Sequence, residues 1–321
     1  MTAGGDEAAR SAVGDLALLE GALARLKATG TIEYRGEFGN EITTFIPFVH
    51  WLKQEGLLAG RRVVTYRGMR PYYFFLDDGE YDEKTGERYW LPPQQRDWPS
   101  SNSYTATRQS WHVMPDYRAR YRNEGRRFER PLLFIQNKFC VEWNSGPINY
   151  MPLYALQEIF ALAGRRFDIV YSRPRRMGGG DYTADHNHDC DYPDLAIARR
   201  FPEVIVLEDY VAQARVPYNL AKLQILAKCW LSIAVQGGGA HLLACFGGGV
   251  MLLLHREGPE HPHAYAAGPY KYLASPPPML LVAHDYQQFN RGVELLTNFR
   301  WDGERLTIGD AWRPILDKLR V

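Results

Sequence analysis

Cysteine is scarce in this sequence, and long apolar runs are missing from it. Its 321 residues include four cysteines, at positions 140, 190, 229 and 245, and no two of them form a CxxC pair. This usage indicates a reduced, cytoplasmic chain and not a disulfide framework. No apolar stretch reaches the roughly 18 residues of a membrane-spanning helix, and the N-terminus lacks the basic start of a signal peptide. A peripheral membrane contact is compatible with both observations.

Strong net charge and the common nucleotide-binding motifs are also absent. A formal net charge of +1 gives no whole-protein field that would attract nucleic acid, so an anionic ligand would have to be held by local groups. The sequence contains neither GxGxxG after a first strand nor GxxxxGK(S/T), which disfavours NAD-dependent and P-loop enzymes. Aromatic residues make up 13% of the chain, as they do in sugar-, peptide- or base-binding surfaces and in ordinary cores alike.

The second half of the chain alternates short apolar runs with helical segments. Each run has the length and the apolar composition of a strand that is buried on both faces. Strands that alternate with helices predict βαβ crossovers and a parallel sheet. The predicted strands are 167–172, 203–209, 230–236, 249–255 and 279–284.

The first half shows the same alternation less regularly. After an N-terminal helical stripe, a strand at 31–35 leads through the turn GEFGN into a helix at 41–55 and a strand at 61–66. Residues 77–130 have weak periodicity and are interpreted as an insertion of loops and short helices. The apolar start of PLLFIQNKF, residues 131–139, predicts a last strand for this half.

Two α/β halves of ordinary domain size predict the fold class, an α/β protein with two Rossmann-like domains that face each other across a cleft. A single large doubly wound sheet is the alternative. Along the chain we assign an N-terminal extension or helix, a first Rossmann-like domain, a second Rossmann-like domain and a tail, at 1–30, 31–150, 165–298 and 299–321.

The sharpest motif, VQGGGAH, joins the third strand of the second half to a helix. Small residues let the backbone approach a ligand, and the first N–H groups of a helix favour anions. The motif therefore predicts a phosphate site, and a tight turn that needs positive φ is the alternative. His241 is suited to donate to a phosphate or to act as a general acid on a leaving phosphate, unless it is a plain helix-start histidine. The predicted ligand-binding residues here are Gln236, Gly237, Gly238, Gly239 and Ala240.

The GEFGN turn of the first half also joins a strand to a helix, so its side chains are predicted to face the cleft. Gly39 and Asn40 are predicted to bind ligand in this turn. A cleft carboxylate with a raised pKa removes a proton from an acceptor hydroxyl, so Glu37 and Glu41 are candidate catalytic bases. For Glu41 the alternative is a first-turn glutamate that complements the helix dipole.

Charged residues at three further strand ends complete the candidate set. Arg173 follows the first strand of the second half, and its planar guanidinium matches phosphate. Glu208 ends the next strand, where it would bind a ribose hydroxyl or cap the following segment. Asn137 and Lys138 follow the last strand of the first half, as acceptor-binding, interdomain or buried linker residues. The run HNHDCD at 186–191 looks like metal-ligand material, but its spacing does not match a structural zinc site, so no metal is assigned.

The combined pattern resembles the GT-B glycosyltransferases. GEFGNE resembles the GGxGNQ-type loop of fucosyltransferase-like enzymes of this class, with Glu37 and Glu41 in place of a glycine and a glutamine. Arg173 corresponds in position to the arginine that follows the first strand of their C-terminal domain, and VQGGGAHLLACFGG corresponds to their donor-phosphate turn. The resemblance covers most of residues 31–298, and it lies in the order of the structural elements more than in residue identity.

This resemblance implies transfer of a sugar from a nucleotide-sugar donor, bound mainly by 165–298, to a saccharide or glycan acceptor, bound mainly by 31–150, as in polysaccharide biosynthesis. It implies no bound metal and no cofactor besides the nucleotide-sugar co-substrate, and an inverting reaction if Glu37 or Glu41 is the base. Nucleic acid is not an expected partner. Two alternatives from other classes stay open. One is a sugar-nucleotide epimerase, against which the absence of GxGxxG argues, and the other is a non-catalytic nucleotide- or carbohydrate-binding protein.

Overall fold

A computed structural model describes the backbone of residues 3–92, 95–99, 109–142, 145–173, 190–258, 266, 268–301 and 306–321, and the side chains of this part from residue 16 onward, except that of residue 301. The helices α1 to α11 are Ala3–Thr29, Phe38–Asn40, Ile46–Gln54, Tyr117–Tyr121, Leu153–Ala163, Asp194–Ala198, Leu207–Ala214, Tyr218–Leu226, Gly238–Ala244, Tyr286–Thr297 and Arg313–Leu319. The strands β1 to β11 are Thr31–Glu33, Arg62–Tyr66, Tyr81–Lys84, Leu132–Gln136, Asp168–Ser172, Val204–Val206, Leu231–Val235, Val250–Leu254, Met279–Ala283, Arg300–Trp301 and Leu306–Thr307.

A parallel sheet of six strands forms the centre of the fold. Its strand order is β6-β5-β4-β7-β8-β9, and every neighbouring pair is parallel. This is the doubly wound order of Rossmann-like sheets, in which the direction of strand addition reverses between the first and fourth strands. The α/β class and the five strands predicted for the second half are confirmed. The reversal lies between β4 and β7.

The prediction that PLLFIQNKF closes the first sheet is wrong. Its strand, β4, lies in the middle of the six-stranded sheet, where Gln136 pairs with Ser172 on β5 and with Ala234 on β7. All five residues of β4 are buried, as a central parallel strand with both faces covered requires. The apolar run indicated a buried strand but not its partners, because partners lie far away along the chain.

The N-terminal part forms a second, smaller parallel sheet in the order β1-β2-β3. The strand β3 lies inside residues 77–130, where the sequence predicts only loops and short helices. Its sequence, YDEK, has no apolar alternation, and both of its central residues are exposed. It is held by pairing with β2 and by side-chain contacts of Tyr81 with Tyr73 and of Lys84 with Glu33. The helix α1 begins at Ala3, earlier than the apolar stripe indicates.

Two hydrophobic cores cover the two faces of the six-stranded sheet. The first core is continuous from N-terminal residues such as Phe45 and Tyr72 to Phe134, Val170 and Leu253 on one face of the sheet. The second core covers the opposite face and includes α5 and α10. The N-terminal part is therefore a layer that packs directly on the larger sheet through a shared core.

A short π-helical turn at Glu41–Phe45 connects α2 to α3. Pro47 lies in the first turn of α3 and has no N–H with which to bond the carbonyl of Thr43, four residues earlier. The freed Thr43 oxygen lies 2.8 Å from Nε2 of the buried His112 instead. The proline is accommodated where the helix changes its hydrogen bonding, and Glu41, the first residue of the π-helical turn, is buried.

Candidate functional site

Buried polar side chains concentrate at the carboxyl edge of the six-stranded sheet. Open parallel sheets bind ligands at this edge, beside the position where the strand order reverses. Burial of a polar group is costly unless it is paired, so a concentration of such groups marks the edge between β4 and β7 as the candidate site. The buried polar residues at or near this edge are Gln136, Asn137, Glu142, Asn149, Ser172, Arg173, Asp194, Glu208, Lys222, Gln236 and His255.

The glycine turn after β7 is packed tightly by the protein itself. Gly237 has φ of 139°, a conformation that favours glycine. A Cβ atom on Gly238 would lie 3.2 Å from Cα of Gly39, and one on Gly239 would lie 2.7 Å from Cγ of Gln136. Internal packing thus explains each glycine, and the helix that follows, α9, has only seven residues. The case for an anion at this turn depends on the charges around it.

Lys138 supplies the first of these charges. Its Nζ lies 3.4 Å from Oε1 of Gln236 and 3.3 Å from the position that a Cβ on Gly237 would take. It also donates to Oε2 of Glu142 at 2.6 Å. Because Glu142 receives two further hydrogen bonds from Asn149, this pair orients the ammonium group. The Lys138 side chain is 23% exposed, so a ligand at the turn can reach it.

Lys222, on α8, supplies a second charge from inside the protein. It is buried, and its Nζ donates to Oε1 of Gln136 at 2.7 Å. Burial lowers the pKa of Lys222 to about 8, and the nearby Glu208 opposes the shift. Among the described residues no carboxylate lies within ion-pair distance of it. Gln136 is also the residue that packs on Gly239, so the ammonium group lies directly behind the glycine turn.

Glu208 is not at the end of a strand, contrary to the prediction. The strand β6 ends at Val206, and Glu208 lies in the first turn of α7, where it is buried. Its Oε1 accepts from the Ser172 hydroxyl at 3.3 Å, and that hydroxyl lies 2.9 Å from the hydroxyl of Tyr218. The carboxylate therefore belongs to a buried network below the sheet edge, next to Lys222.

Arg173 lies where the sequence predicts it, directly after β5. Its Nε donates to Oδ2 of Asp194 at 2.8 Å, and its Nη2 donates to the carbonyl oxygen of Tyr192 at 3.2 Å. Asp194 also accepts from the hydroxyl of Tyr171, and burial together with Asp194 raises the pKa of that tyrosine well above its ordinary value. Nη1 of Arg173 is buried and has no hydrogen-bond partner among the described residues. The arginine is thus oriented by its neighbours and retains a donor for a ligand.

The predicted turn of the first half meets the glycine turn directly. The position of a Cβ on Gly39 is 3.3 Å from Cα of Gly238 and 3.2 Å from Cδ2 of His241. His241 is half-buried, and its Nδ1 lies 3.1 Å from the hydroxyl of Tyr270. The backbone carbonyl of Asn40 accepts from a threonine hydroxyl four residues later. The structure therefore brings Gly39, Gly238 and His241 together, close to Lys138.

Glu41 does not face a cleft, and the prediction of a catalytic base at this residue is wrong. Its side chain is fully buried, and Oε2 lies 2.7 Å from Nη1 of Arg88, which is fully buried as well. Oε1 accepts from the hydroxyl of Tyr73 at 2.7 Å and from that of Thr65. Arg88 is 47 positions away in the sequence, so no local pattern predicts this ion pair. Glu41 is a structural carboxylate that no acceptor can reach.

Glu37, the other candidate base, lies nearer to the surface. It is half-buried at the residue before α2, and its backbone carbonyl accepts from the hydroxyl of Tyr34. It is two residues from Gly39, the point of contact with the glycine turn. Of the two predicted carboxylates, only Glu37 lies where a ligand at this edge could approach it.

The histidine- and aspartate-rich run lies mostly outside the described residues, which resume at Cys190. Downstream of it, Asp194 is the partner of Arg173. Over the described ranges, no group of three or more His, Cys, Asp or Glu side chains is arranged to hold a metal ion. Over the same ranges, no helix combines the length and apolar character that crossing a membrane requires.

Of the site's cations, Lys222 escaped the sequence prediction, and Lys138 was predicted without its place beside the glycine turn. Lys222 belongs to no motif, and the available signal is only a lysine within the largely apolar helix YNLAKLQIL. Lys138 follows a strand that the sequence assigns to the wrong sheet. Once β4 is in the centre of the six-stranded sheet, Lys138 comes beside the glycine turn.

Comparisons with known proteins add little information about function to this geometry. No protein-family model matches the chain, and no curated protein matches it. Among solved structures, the glycosyl transferase family 9 protein from Veillonella parvula aligns over 90% of this chain and 97% of its own, with a TM-score of 0.42 and 11% sequence identity. At this score and identity the likeness carries no argument about activity, so a function has to be inferred from the site.

Proposed function

We propose that this protein transfers a sugar from a nucleotide-sugar donor to a saccharide or glycan acceptor, with the donor diphosphate bound at the sheet edge between β4 and β7. The observation that carries the proposal is the convergence of Lys138, Lys222 and Arg173 on this edge. Cationic side chains at a strand-order reversal are suited to a phosphate-bearing ligand.

Glu142 and Asp194, which pair with Lys138 and Arg173, do not use the full hydrogen-bonding capacity of these cations. Glu142 and Asp194 each receive hydrogen bonds from other groups as well, from Asn149 and Tyr171 respectively. One N–H of Arg173 is left without a partner, and Lys222 is charged at neutral pH without a carboxylate in contact among the described residues. Lys138 and Arg173 follow the neighbouring strands β4 and β5, which are about 5 Å apart, so we propose that one diphosphate contacts both cations.

The chemistry that this arrangement supports is an inverting transfer. A hydroxyl oxygen of the acceptor forms a bond to the anomeric carbon of the donor sugar while the bond from that carbon to the diphosphate oxygen breaks. Glu37 accepts the proton of the hydroxyl, and the cations stabilise the negative charge of the leaving nucleoside diphosphate. His241 is positioned as a proton donor to that phosphate. Because Lys and Arg supply the positive charge, we propose that the reaction needs no metal.

We also propose that the two sheets bind different substrates, as the two domains of GT-B enzymes do. The edge of the six-stranded sheet would hold the donor, and the N-terminal sheet would hold the acceptor, with Gly39 and Gly238 at their contact. Polysaccharide biosynthesis in the cytoplasm is the setting that we propose, and the four cysteines, all free, are compatible with a reducing compartment.

The first test of this function is nucleotide binding to a Lys138→Met variant. We expect the unaltered protein to bind one of UDP, GDP, CMP or dTDP without Mg²⁺, and we expect Lys138→Met to weaken that binding about 10- to 100-fold, because a charge-assisted hydrogen bond is lost. The measurement is calorimetric titration with and without Mg²⁺. The matched control is Lys53→Met, since Lys53 has a similar exposure of 28% and also pairs with carboxylates.

Two outcomes would contradict the proposal. If no nucleotide binds the folded protein, the phosphate site does not exist, and a carbohydrate-binding protein becomes the better interpretation. If a nucleotide binds but Lys53→Met weakens it as much as Lys138→Met does, the nucleotide is not at this edge. Binding without turnover of any nucleotide-sugar and acceptor tested would favour a non-catalytic nucleotide-binding protein over a transferase or an epimerase.

A further inference from the structure

Arg96 is a buried cation that the proposed transfer does not yet use. It is only 9% exposed, and its Nε donates to the carbonyl oxygen of Leu91 at 3.2 Å. Among the described residues, no carboxylate lies within ion-pair distance of its guanidinium, and its two terminal nitrogens have no acceptor. Burial lowers the pKa of Arg96, and the nearby charge of Glu37 opposes the shift. A guanidinium in this position lacks the anion that usually accompanies a buried arginine.

Two exposed aromatic residues directly precede Leu91, whose carbonyl oxygen accepts the hydrogen bond from Nε of Arg96. Tyr89 is 45% exposed and Trp90 is 60% exposed, which places them among the few large exposed hydrophobic residues of the described chain. A large aromatic side chain that is mostly exposed leaves apolar area in water, and sugar rings pack on such aromatic faces.

The same segment contacts the turn that carries Glu37. Cβ of Leu91 lies 3.8 Å from the position of a Cβ on Gly36, and the backbone N–H of Gly36 donates to the hydroxyl of Tyr66 at 3.4 Å. Leu91 therefore contacts both Arg96, through its carbonyl oxygen, and the turn that carries Glu37. The proposed base and an unused anion-binding group are thus on the same side of the N-terminal sheet.

We propose that Arg96, with Tyr89 and Trp90, forms the acceptor subsite and that the acceptor is an acidic saccharide, a sugar that carries a phosphate or a carboxylate group. Arg96 pairs with the anionic group, the aromatic side chains pack on the sugar ring, and a hydroxyl of the same sugar is directed to Glu37. The catalytic part of this assignment depends on the proposed transfer, but the binding of the acidic sugar does not.

The experiment compares three sugars on the unaltered protein by NMR titration: glucose 6-phosphate, glucuronate and glucose. We expect at least one of the two anionic sugars to bind ten times more tightly than glucose, and the one that does so identifies the anionic group. Arg96→Met is expected to reduce this preference to less than twofold, and Arg96→Lys to retain part of it because the charge remains. Trp90→Ala should weaken the anionic and neutral sugars alike.

Arg61→Met is the matched control. Arg61 also donates to a backbone carbonyl, that of Leu57 at 2.7 Å, and has no carboxylate partner among the described residues. It directly precedes β2, at the amino end of the parallel strands, whereas the turn at Gly36 follows the carboxyl end of β1. It should leave the preference intact. Equal affinity for all three sugars on the unaltered protein, or a preference that persists in Arg96→Met, overturns the subsite. Failure of nucleotide binding, measured separately, overturns the transfer and not the subsite.

Discussion

Replacement of Glu41 by alanine is expected to destabilise the fold by about 3–5 kcal/mol, because it leaves the buried guanidinium of Arg88 without its carboxylate. Both side chains are fully buried, and the same carboxylate accepts from the hydroxyl groups of Tyr73 and Thr65. Those two donors would lose their acceptor as well, which adds to the cost. The measurement is equilibrium unfolding in urea, compared between Glu41→Ala and the unaltered protein.

The double variant Glu41→Leu with Arg88→Met separates structure from catalysis at this residue. Removal of both charges is expected to recover most of the lost stability, because an apolar pair of similar volume often replaces a buried ion pair at little cost. The recovered variant should also bind nucleotide as the unaltered protein does. If Glu41→Ala were instead fully stable and inactive in sugar transfer, Glu41 would be a catalytic base and the structural assignment would be wrong.

The Lys222→Met variant is expected to lose its stability advantage over the unaltered protein as the pH rises. The pKa of Lys222 is lowered from 10.5 to about 8 in the folded protein. Below pH 8 the lysine is protonated in both the folded and the unfolded states, so the full cost of burying its charge, about 3 kcal/mol, is present. Between pH 8 and 10.5 the folded state releases the proton first, and the stability of the unaltered protein rises relative to the variant.

The quantity to measure is the difference in unfolding free energy between the two proteins from pH 7 to pH 10. We expect it to change by about 2–3 kcal/mol in favour of the unaltered protein. Methionine has a similar length and does not titrate. Glu208 and Tyr218, the titratable groups that face Lys222, are present in both proteins. Lys53→Met is the control, because ion pairs with Asp77 and Glu80 raise the pKa of Lys53. Lys53 therefore stays mainly protonated in both states up to pH 10, and its difference in unfolding free energy should be nearly flat over this range. A flat difference for Lys222→Met would contradict the lowered pKa of this lysine.

Burial of the Lys222 charge lowers the stability of the fold, and we explain its presence by a role in ligand binding. Its hydrogen bond to Gln136 places the ammonium group behind the glycine turn, next to the proposed phosphate site, and orients the residue that packs on Gly239. Groups with strongly shifted pKa values are typical of functional sites for this reason. Lys222→Met is therefore expected to weaken nucleotide binding even where it does not reduce stability.

The sequence by itself determined the α/β class, the five strands of the second half and the positions of Arg173 and of the glycine turn. These features are local, because apolar runs mark buried parallel strands and small residues mark a tight turn, whatever their partners are. Polar segments gave no such signal, so the strand β3 with its sequence YDEK was not predicted.

Only the tertiary structure decided which groups meet. It placed β4 at the centre of the larger sheet, and with it Lys138 beside the glycine turn. It paired Glu41 with Arg88 in the core, and it moved Glu208 from a strand end into a helix that faces Lys222. Each of these outcomes depends on contacts between residues distant in the sequence, and on the rule that a buried charge must find a partner. A linear pattern records which residues carry charge, but the packing of the two sheets determines which of those charges face each other.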